Sequence, residues 1–409
     1  MTGRPVAGEN ALYVPVGAGV IAFSATDGSV RWQSERLPAV GSAPALTSGT
    51  LYASCDDGVV AAVDRTDGGV RWTATYSDPL RGPPVVGEDA VFVTDGNGVL
   101  YALDARRGEQ RWYHPFAESM NTAPAVTDGT VVVESDDGQY RGEGYLTALD
   151  AADGAFEWKA TRDEQVFSPP TADDGTVYVV GFYQEGYASD LYAIDAADGS
   201  EQWFVDGDTA FIGPTLGNDA VYVALDDSVL AFDRATGRER WSYEPAGEVR
   251  VAPGAGDGTV FVESHSPDDV TESTVTALDA ATGTERWTVE RDRRLSWTPT
   301  ASGRAVYLGG ERNVVEARDA ADGSEVWRVD WPGPVTSSPV VAGETVCVGG
   351  WDERVYGLSA TDGSVEWSVG TDGPVLGSPV LGDGIAYVPG DGVVYALSAA
   401  DGSQEWKHE

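Results

Sequence analysis

Side chains that commonly carry catalysis are scarce in this chain of 409 residues. The three histidines, His114, His265 and His408, are not spaced as a metal-binding pair, and none accompanies a serine nucleophile motif. No GxSxG stretch occurs, and no lysine follows a glycine-rich loop as phosphate binding requires. The two distant cysteines, Cys55 and Cys347, exclude a disulfide framework and favour small core residues. The sequence therefore predicts no catalytic and no metal-binding residues.

Arginine and aromatic residues gather instead in a few short stretches, of which RDRRLSW (291–297) is one. These residue types are enriched at protein interfaces, and arginine also recognises anions. The alternative is that the arginines of RDRR only pair with an acidic surface and that the aromatics of GFYQEGY (181–187) only cover the mouth of a central channel. We predict an anion- or partner-binding site that contains Tyr140, Arg141, Phe182, Tyr183, Tyr187, Arg293, Arg294, Trp297, Trp351 and Arg354, with His265 and Arg291 beside them.

The charge of the chain is strongly one-sided. It has 66 acidic and 26 basic residues, a formal net charge of −40, and lysine only at Lys159 and Lys407. Such a surface repels nucleic-acid phosphates, whose binding needs clustered cations. Its self-repulsion is screened at 1 M salt, where the Debye length falls to about 3 Å. The composition resembles that of haloarchaeal proteins, with an acidic mesophilic protein as the alternative, and we expect salt cations at the acidic surface.

Targeting and membrane segments are not evident in the sequence. No apolar run approaches the ~18 residues that a membrane span requires. The segment GRPVAGENALYV (3–14) already matches GPPVVGEDAVFV (82–93), so a signal peptide has no room before the first repeat. This predicts a cytoplasmic protein, and an extracellular or membrane-anchored one if a leader precedes this chain.

One phrase, ALDAADGAFEW (148–158), recurs in ten copies. Each copy has Asp or Ser, a glycine four residues later and a tryptophan eight residues later, and a proline precedes each copy. Ten copies at fixed spacing indicate a repeat architecture. The tryptophans, to which we assign a structural role, are Trp32, Trp72, Trp112, Trp158, Trp203, Trp241, Trp287, Trp327, Trp367 and Trp406.

Each repeat contains four short β-type runs separated by turn residues, and no segment has a sustained helical period. A four-stranded antiparallel meander cannot bury both faces alone, so the copies must pack radially. We predict an all-β fold, a single β-propeller domain over 3–409 with ten blades in one ring; the alternative is an eight-bladed ring with two flanking units. The predicted repeats are 3–40, 42–80, 82–120, 122–166, 168–210, 212–249, 251–296, 297–335, 337–375 and 377–409.

Local chemistry explains the phrase. The Asp side chain can accept hydrogen bonds from the backbone of the following turn, and the glycine can supply the positive φ of a bulged hairpin. We expect the turn to direct each tryptophan into the seam against the neighbouring blade. Burial of the indole side chain there stabilises the packing of the blades. The proline suits the innermost strand, which has one unpaired edge.

The phrase, written AxDxxTGxxxW, resembles the repeat of pyrroloquinoline-quinone-type propellers. These occur in quinoprotein dehydrogenases and in the bacterial outer-membrane assembly lipoprotein of the BamB type. The resemblance covers 3–409 and implies the fold, whereas the family contains both enzymes and non-catalytic scaffolds. Its enzymes also have a pair of adjacent cysteines and a calcium ion beside the quinone, and this chain has no adjacent cysteines.

Length variation among the repeats indicates which surface is functional. The proline-to-Asp/Ser distance is 19 or 20 residues in seven repeats, but 26, 25 and 26 in repeats four, five and seven. The extra residues fall between the second and third strands, at SDDGQYRGEGY (135–145), GFYQEGYASDLY (181–192) and ESHSPDDVTESTV (263–275). In a meander these connections share a face with the blade-to-blade connections, and varied loops on a rigid scaffold usually carry function.

Two functions remain open at the level of sequence. The first is a non-catalytic scaffold that binds a protein, or a small ligand, through the insertion-bearing face, with no cofactor. The alternative is a dehydrogenase that uses pyrroloquinoline quinone with Ca²⁺. The missing cysteine pair and the lack of a catalytic constellation favour the scaffold.

Overall fold

The structure is a computed structural model, and it describes 6–8, 11–16, 19–24, 29–34, 37–55, 57–116, 123–135, 144–162, 165–166, 168, 170–182, 188–207, 209–250, 252–256, 258–266, 273–291, 300–302, 304–310, 314–330, 335, 337, 339–375, 378–382, 384–389 and 393–408. Antiparallel strands organise the described residues into ten sheets, each built from one continuous stretch of chain. No helix in these ranges is long and apolar enough to cross a membrane.

The first five blades follow one another along the chain, and in all but the fifth the strands pair in sequence order. Blade one has β1 (Val6–Gly8), β2 (Ala11–Val16), β3 (Gly19–Ser24) and β4 (Val30–Gln33); blade two has β5 (Ala45–Leu46), β6 (Thr50–Ser54), β7 (Val59–Asp64) and β8 (Val70–Thr75); blade three has β9 (Leu80–Val86), β10 (Ala90–Asp95), β11 (Val99–Asp104) and β12 (Gln110–Pro115); blade four has β13 (Ala125–Thr127), β14 (Thr130–Ser135), β15 (Gly144–Asp150) and β16 (Phe156–Arg162); blade five has β17 (Gln165–Val166), β18 (Thr171–Asp173), β19 (Thr176–Phe182), β20 (Ser189–Asp195) and β21 (Glu201–Gly207).

The remaining five blades repeat the same order. Blade six has β22 (Ile212–Leu216), β23 (Ala220–Ala224), β24 (Val229–Asp233) and β25 (Glu239–Tyr243); blade seven has β26 (Glu248–Val249), β27 (Gly254–Gly256), β28 (Thr259–His265), β29 (Ser273–Asp279) and β30 (Glu285–Arg291); blade eight has β31 (Thr300–Ser302), β32 (Ala305–Gly310), β33 (Val314–Asp319) and β34 (Glu325–Asp330); blade nine has β35 (Val340–Ala342), β36 (Thr345–Gly350), β37 (Arg354–Ser359) and β38 (Val365–Gly370); blade ten has β39 (Val380–Gly382), β40 (Ile385–Pro389), β41 (Val394–Ser398) and β42 (Gln404–His408).

Blades five and seven have a divided innermost strand. Both β17 and β18 pair with β19, and both β26 and β27 pair with β28, so each blade keeps four strand positions. Among the described residues, the proline that opens a repeat lies within or just before the innermost strand of its blade. Pro84, for example, lies within β9, and Pro170 lies just before β18. The strand has one unpaired edge, which explains why a residue without a backbone N–H is accepted there.

The ring contains ten blades, as predicted, and the eight-bladed alternative is wrong. Blade ten packs directly on blade one, where Leu12 and Phe23 share an apolar cluster with Ile385 and Tyr387. The hydroxyl of Tyr387 also donates to the carbonyl oxygen of Ser24 at 3.2 Å. Each blade comes from contiguous chain, so side-chain packing rather than an exchanged strand closes the ring in the described residues.

In the nine seams where its side chain is described, the tryptophan of the phrase fills the seam between blades, as the phrase predicts. Trp203 of blade five is buried, packs 6.0 Å from the Tyr178 ring and donates from Nε1 to the carbonyl oxygen of Arg234 in blade six at 2.9 Å. The same bond to the following blade recurs for Trp32, Trp72, Trp112, Trp158, Trp241, Trp287, Trp327 and Trp367. The side chain of Trp406 lies outside the described residues.

The turn of the phrase is built as the sequence predicts. The Oδ1 atom of Asp233 accepts hydrogen bonds from the backbone N–H groups of Ala235 and Thr236. Gly237 has a φ of 63°. The structure adds a second requirement: a Cβ at Gly237 would lie 2.4 Å from the Trp203 ring of the preceding blade. The glycine is therefore needed both for the turn and as the platform on which the neighbouring tryptophan rests.

Two faces of the ring follow from this topology. The loop-bearing face holds the connections between the second and third strands and those between blades. The turn face holds the connections between the first and second strands and the phrase turns between the third and fourth strands. On the loop-bearing face, one cavity brings together 246–247, 264–266, 273–274 and 290–291. On the turn face, another brings together 173–174, 218–219 and 233–235.

We expect the melting temperature to rise steeply between about 0.1 M and molar KCl, because salt screens the repulsion of a net charge of −40. Calorimetry across a KCl series measures this, and a sugar at matched osmolality controls for solute exclusion. A flat melting temperature across the KCl series would remove the salt-adaptation hypothesis.

Candidate functional site

Seven of the ten predicted binding residues lie outside the described residues: Tyr140, Arg141, Tyr183, Tyr187, Arg293, Arg294 and Trp297. They remain predictions. The other three, Phe182, Trp351 and Arg354, are on two separate blades, five and nine, and the described structure does not bring blade five's residue together with the other two.

The three described residues have different surroundings. Phe182 ends β19 and packs, half-buried, on the apolar cluster between blades five and six. Trp351 begins the turn between β36 and β37 and is 55% exposed. Arg354 begins β37, where its Nη2 donates to the Ser368 hydroxyl at 2.7 Å and its guanidinium lies 5.9 Å from the Tyr356 ring. Trp351 is thus the one of the three that offers a large apolar surface to solvent.

A cavity of about 480 Å³ opens on the loop-bearing face of blade seven. Its lining is polar, since it includes His265, Ser273, Arg291, Ser264 and Glu290. These residues sit at the ends of β28, β29 and β30, beside the longest class of insertion and beside the RDRRLSW segment. The cavity therefore lies where the sequence predicts the functional loops, and it contains His265 and Arg291 of the predicted neighbourhood.

The strand register places three of the cavity residues in one row across blade seven. His265 pairs with Ser273, and Ser273 pairs with Arg291, so these three side chains point to one side of blade seven. Trp287, which is on the same side of β30, bonds to Ala320 of blade eight. The row of His265, Ser273 and Arg291 consequently faces the seam between blades seven and eight, and all three side chains are buried.

An ion network occupies that seam. Nε of Arg291, a residue only 6% exposed, lies 2.8 Å from Oε1 of the fully buried Glu316 of β33, in an ion pair that lacks hydrogen-bond geometry. Nη2 of Arg318 contacts Glu316 Oε2 at 2.9 Å, and Arg328 approaches the same oxygen at 4.0 Å. Glu263 of β28 is buried nearby and acts on the charge of Arg291. One carboxylate therefore holds arginines from two blades.

Electrostatics make this network costly. Burial lowers the pKa of the Arg291 guanidinium below its ordinary value, and the carboxylates of Glu316 and Glu263 oppose that shift. The Nη1 atom of Arg291 is buried without a hydrogen-bond partner in the described part of the chain, and so is Nε of Arg318. Buried charges are usually fully paired, so donors left over in such a network call for an explanation.

The network is peculiar to blade eight. Other blades have uncharged residues at the position of Glu316: Ile21, Ala61, Tyr101, Thr147, Tyr192, Leu230, Thr276, Tyr356 and Tyr395. At the position of Arg318 they have apolar residues: Phe23, Val63, Leu103, Leu149, Ile194, Phe232, Leu278, Leu358 and Leu397. The seam between blades seven and eight is therefore charged at two positions where its counterparts are uncharged.

The sequence contains a signal for this site, at a position where one copy departs from the repeated phrase. The phrase reads ARDAADGSEVW at 317–327, and Arg318 interrupts a column that is otherwise apolar. Matches to the phrase reveal the fold, whereas departures from it at buried positions reveal the site. Glu316 and Arg318 were not among the predicted site residues.

The second cavity, of about 880 Å³, lies on the turn face between blades four and six and is lined by aspartates and two arginines. Arg234 pairs with Asp173 at 2.7 Å, and Arg240 pairs with Asp219 and Asp233, each at 2.7 Å. The hydrogen bond from Arg240 lowers the pKa of Asp233 to about 2. These arginines are held by their carboxylates, so we assign this surface a structural role.

A quinone or a metal ion would need particular side chains to hold it. Cys55 and Cys347 are buried in blades two and nine, and burial raises the pKa of the Cys347 thiol to about 12. They cannot form the adjacent pair that the resemblance associates with the quinone. Among the described residues, no group of three or more His, Cys, Asp or Glu side chains could hold a metal ion.

The family comparison covers the whole chain. The family model described as outer membrane protein assembly factor BamB matches residues 1–74, 56–143, 139–212, 188–312 and 271–409. A comparison with curated proteins finds no match.

Solved structures of both functional classes resemble the chain. BamB from Moraxella catarrhalis is 23% identical, with 79% of this chain and 92% of that chain covered and a TM-score of 0.50. A europium-containing methanol dehydrogenase is 16% identical, with 91% and 84% covered and a TM-score of 0.50. A quinohemoprotein alcohol dehydrogenase from Comamonas testosteroni is 17% identical, with 91% and 74% covered and a TM-score of 0.51. Likeness at these identities establishes the shared propeller fold alone.

Proposed function

We propose that this chain, which belongs to the family of the outer membrane protein assembly factor BamB, is a non-catalytic scaffold that binds a protein partner through its loop-bearing face. The observation that carries the proposal is the concentration of distinctive features there. The strand ends that flank the insertions, the cavity of blade seven and the buried Arg291 all lie on this face. The turn face, in contrast, repeats the same phrase turn from blade to blade.

Exposed apolar surface supports the same face. Strongly exposed large apolar side chains among the described residues lie on the outermost strands, for example Tyr113 and Phe204, except for Trp351. Trp351 lies in a connection of the loop-bearing face, and Arg354 begins the strand that follows this connection. Tryptophan and arginine are the residue types that dominate binding energy at protein interfaces.

A quinone-dependent dehydrogenase is the second candidate, because two such enzymes share the fold over most of this chain. The chain lacks the adjacent cysteine pair, which weighs against it. Calorimetric titration with pyrroloquinoline quinone and Ca²⁺ in molar KCl, followed by a dye-reduction assay with alcohols and sugars, separates the two functions. Tight, Ca²⁺-dependent binding with turnover would overturn the scaffold proposal, and we expect neither.

The binding face is tested by capture from an extract of the source cells in molar KCl. We expect Arg293→Ser combined with Arg294→Ser to reduce capture of the partner at least about tenfold, since interfacial arginines commonly cost more than 1 kcal/mol when truncated. Removal of 183–187 from the insertion of blade five should act in the same direction. Quantitative mass spectrometry of the captured proteins measures both effects.

A matched control exists on the turn face. Arg106→Ser combined with Arg107→Ser removes the same two positive charges from the exposed phrase turn of blade three. This variant should capture the partner as the wild type does, and all variants should melt with the wild type. Loss of capture in the turn-face variant, with the loop-face variants unaffected, would place binding on the other face and contradict the proposal.

A further inference from the structure

We propose that the cavity of blade seven is a binding site for a carboxylate group, and that Arg291 is the side chain that anchors it. This inference rests on the proposed function for its biological role, because it names the chemistry that the loop-bearing face recognises. The site itself is argued from the described residues and can be measured without the protein partner.

The first argument is that Arg291 is built into the cavity wall. Arg291 is almost fully buried and is one of the residues that line the cavity, and its Nε lies 2.8 Å from Oε1 of Glu316 in an ion pair. Its Nη1 atom has no hydrogen-bond partner in the described part of the chain. A buried guanidinium that is fixed at one N–H edge and has a donor without a partner at another is pre-organised to donate hydrogen bonds to a planar oxyanion.

The second argument is that the network behind Arg291 serves to position it. Arg318 holds Oε2 of Glu316, which leaves Oε1 of Glu316 to hold Arg291. The corresponding positions of the other blades have uncharged residues, so the propeller does not need this network in order to form its seams. Buried charges that the fold does not require, beside a cavity, are typical of functional sites.

The third argument concerns the ligand. The cavity offers one arginine together with hydroxyl groups, among them Ser264 and Ser273, and its rim carries the carboxylate of Glu290. The network in the seam has three arginines, Arg291, Arg318 and Arg328, around two buried carboxylates, Glu316 and Glu263. The single excess positive charge suits a carboxylate, whereas a phosphate dianion beside Glu290 would be left partly uncompensated. The volume of about 480 Å³ falls within the roughly 300–1,000 Å³ of small-ligand sites, so a small organic acid or the C-terminal residue of a peptide fits.

Calorimetric titration in molar KCl distinguishes the sources of the carboxylate. The probes are acetate, a short neutral peptide with a free C-terminus, the same peptide amidated, and inorganic phosphate. We expect acetate and the free peptide to bind, with at least about a tenfold preference over the amidated peptide and phosphate. Binding by acetate alone assigns a small-acid site, and tighter binding of the free peptide assigns a peptide terminus. Equal binding of the amide and the acid, or binding of neither, would overturn the proposal.

Variants test the anchor. Arg291→Lys keeps the positive charge but cannot donate two parallel hydrogen bonds to a carboxylate. Arg291→Gln combined with Glu316→Gln removes both charges of the buried pair together. Each should weaken carboxylate binding at least about tenfold. Arg240→Gln, which removes an arginine from the turn face, is the control and should bind as the wild type does. Unchanged binding in Arg291→Lys, whose fold the melting temperature verifies, would contradict the assignment whether or not the scaffold captures its partner.

Discussion

Trp203→Ala is expected to lower the free energy of unfolding by about 3–5 kcal/mol, the range for removal of a buried aromatic side chain. Trp203 fills the seam between blades five and six, touches Tyr178 and bonds to Arg234 of the next blade. The truncation therefore leaves a cavity and removes the 2.9 Å hydrogen bond to the Arg234 carbonyl oxygen, which keeps only the longer bond from the Tyr178 hydroxyl at 3.4 Å. Denaturant unfolding in molar KCl measures the change.

The neighbouring glycine sharpens this prediction. Gly237→Ala should destabilise strongly in the wild type, because its Cβ would meet the Trp203 ring at 2.4 Å and its φ is 63°. In the Trp203→Ala background the ring is gone, and only the cost of positive φ, about 1 kcal/mol, should remain. The two substitutions are therefore expected to be non-additive. Simple additivity in the double-mutant cycle would contradict the docking of tryptophan on glycine.

Glu316→Leu is expected to cost about 3–5 kcal/mol, because it leaves Arg291 and Arg318 buried without their shared carboxylate. The effect should be larger than that of Glu325→Leu, whose carboxylate contacts Arg318 at 3.4 Å but is half-exposed. Denaturant unfolding of both variants in molar KCl makes the comparison.

Replacement of the three central residues of the network together should have the opposite outcome. Arg291→Leu, Glu316→Tyr and Arg318→Leu together would give the seam the apolar character of its counterparts, and such replacements are often neutral or stabilising. We expect this triple variant to be at least as stable as the wild type and to have lost carboxylate binding. A triple variant as unstable as Glu316→Leu would mean that the network stabilises the fold and is not retained for binding.

The sequence predicted the repeat, the strand order and the ten blades because each depends on local patterns that recur. The fixed spacing of Asp233, Gly237 and Trp241 predicts a turn and a seam residue, and the structure has both. The second role of Gly237 was not predicted, since the ring that it supports belongs to Trp203 of the preceding copy. Contact between copies cannot be read from one copy alone.

The site was predicted less completely. The insertion lengths indicated the neighbourhood of the cavity of blade seven, and Arg291 and His265 were placed there; that this neighbourhood is functional stays a prediction. The ion pair of Arg291 with Glu316 depends on how β30 of one blade meets β33 of the next, which spacing within a repeat does not determine. Arg318 could have been found, because it is charged in a buried apolar column.

Hydrogen exchange of the protein alone and with its captured partner, in molar KCl, tests most directly whether the loop-bearing face is the binding surface. We predict that the partner protects backbone amides at the strand ends of that face, at 264–266, 273–274 and 290–291 of blade seven and in the connection that contains Trp351. The phrase turns at 105–108 and 234–237 should exchange as in the free protein. Protection of those turns, with the loop-bearing face unchanged, would contradict the account.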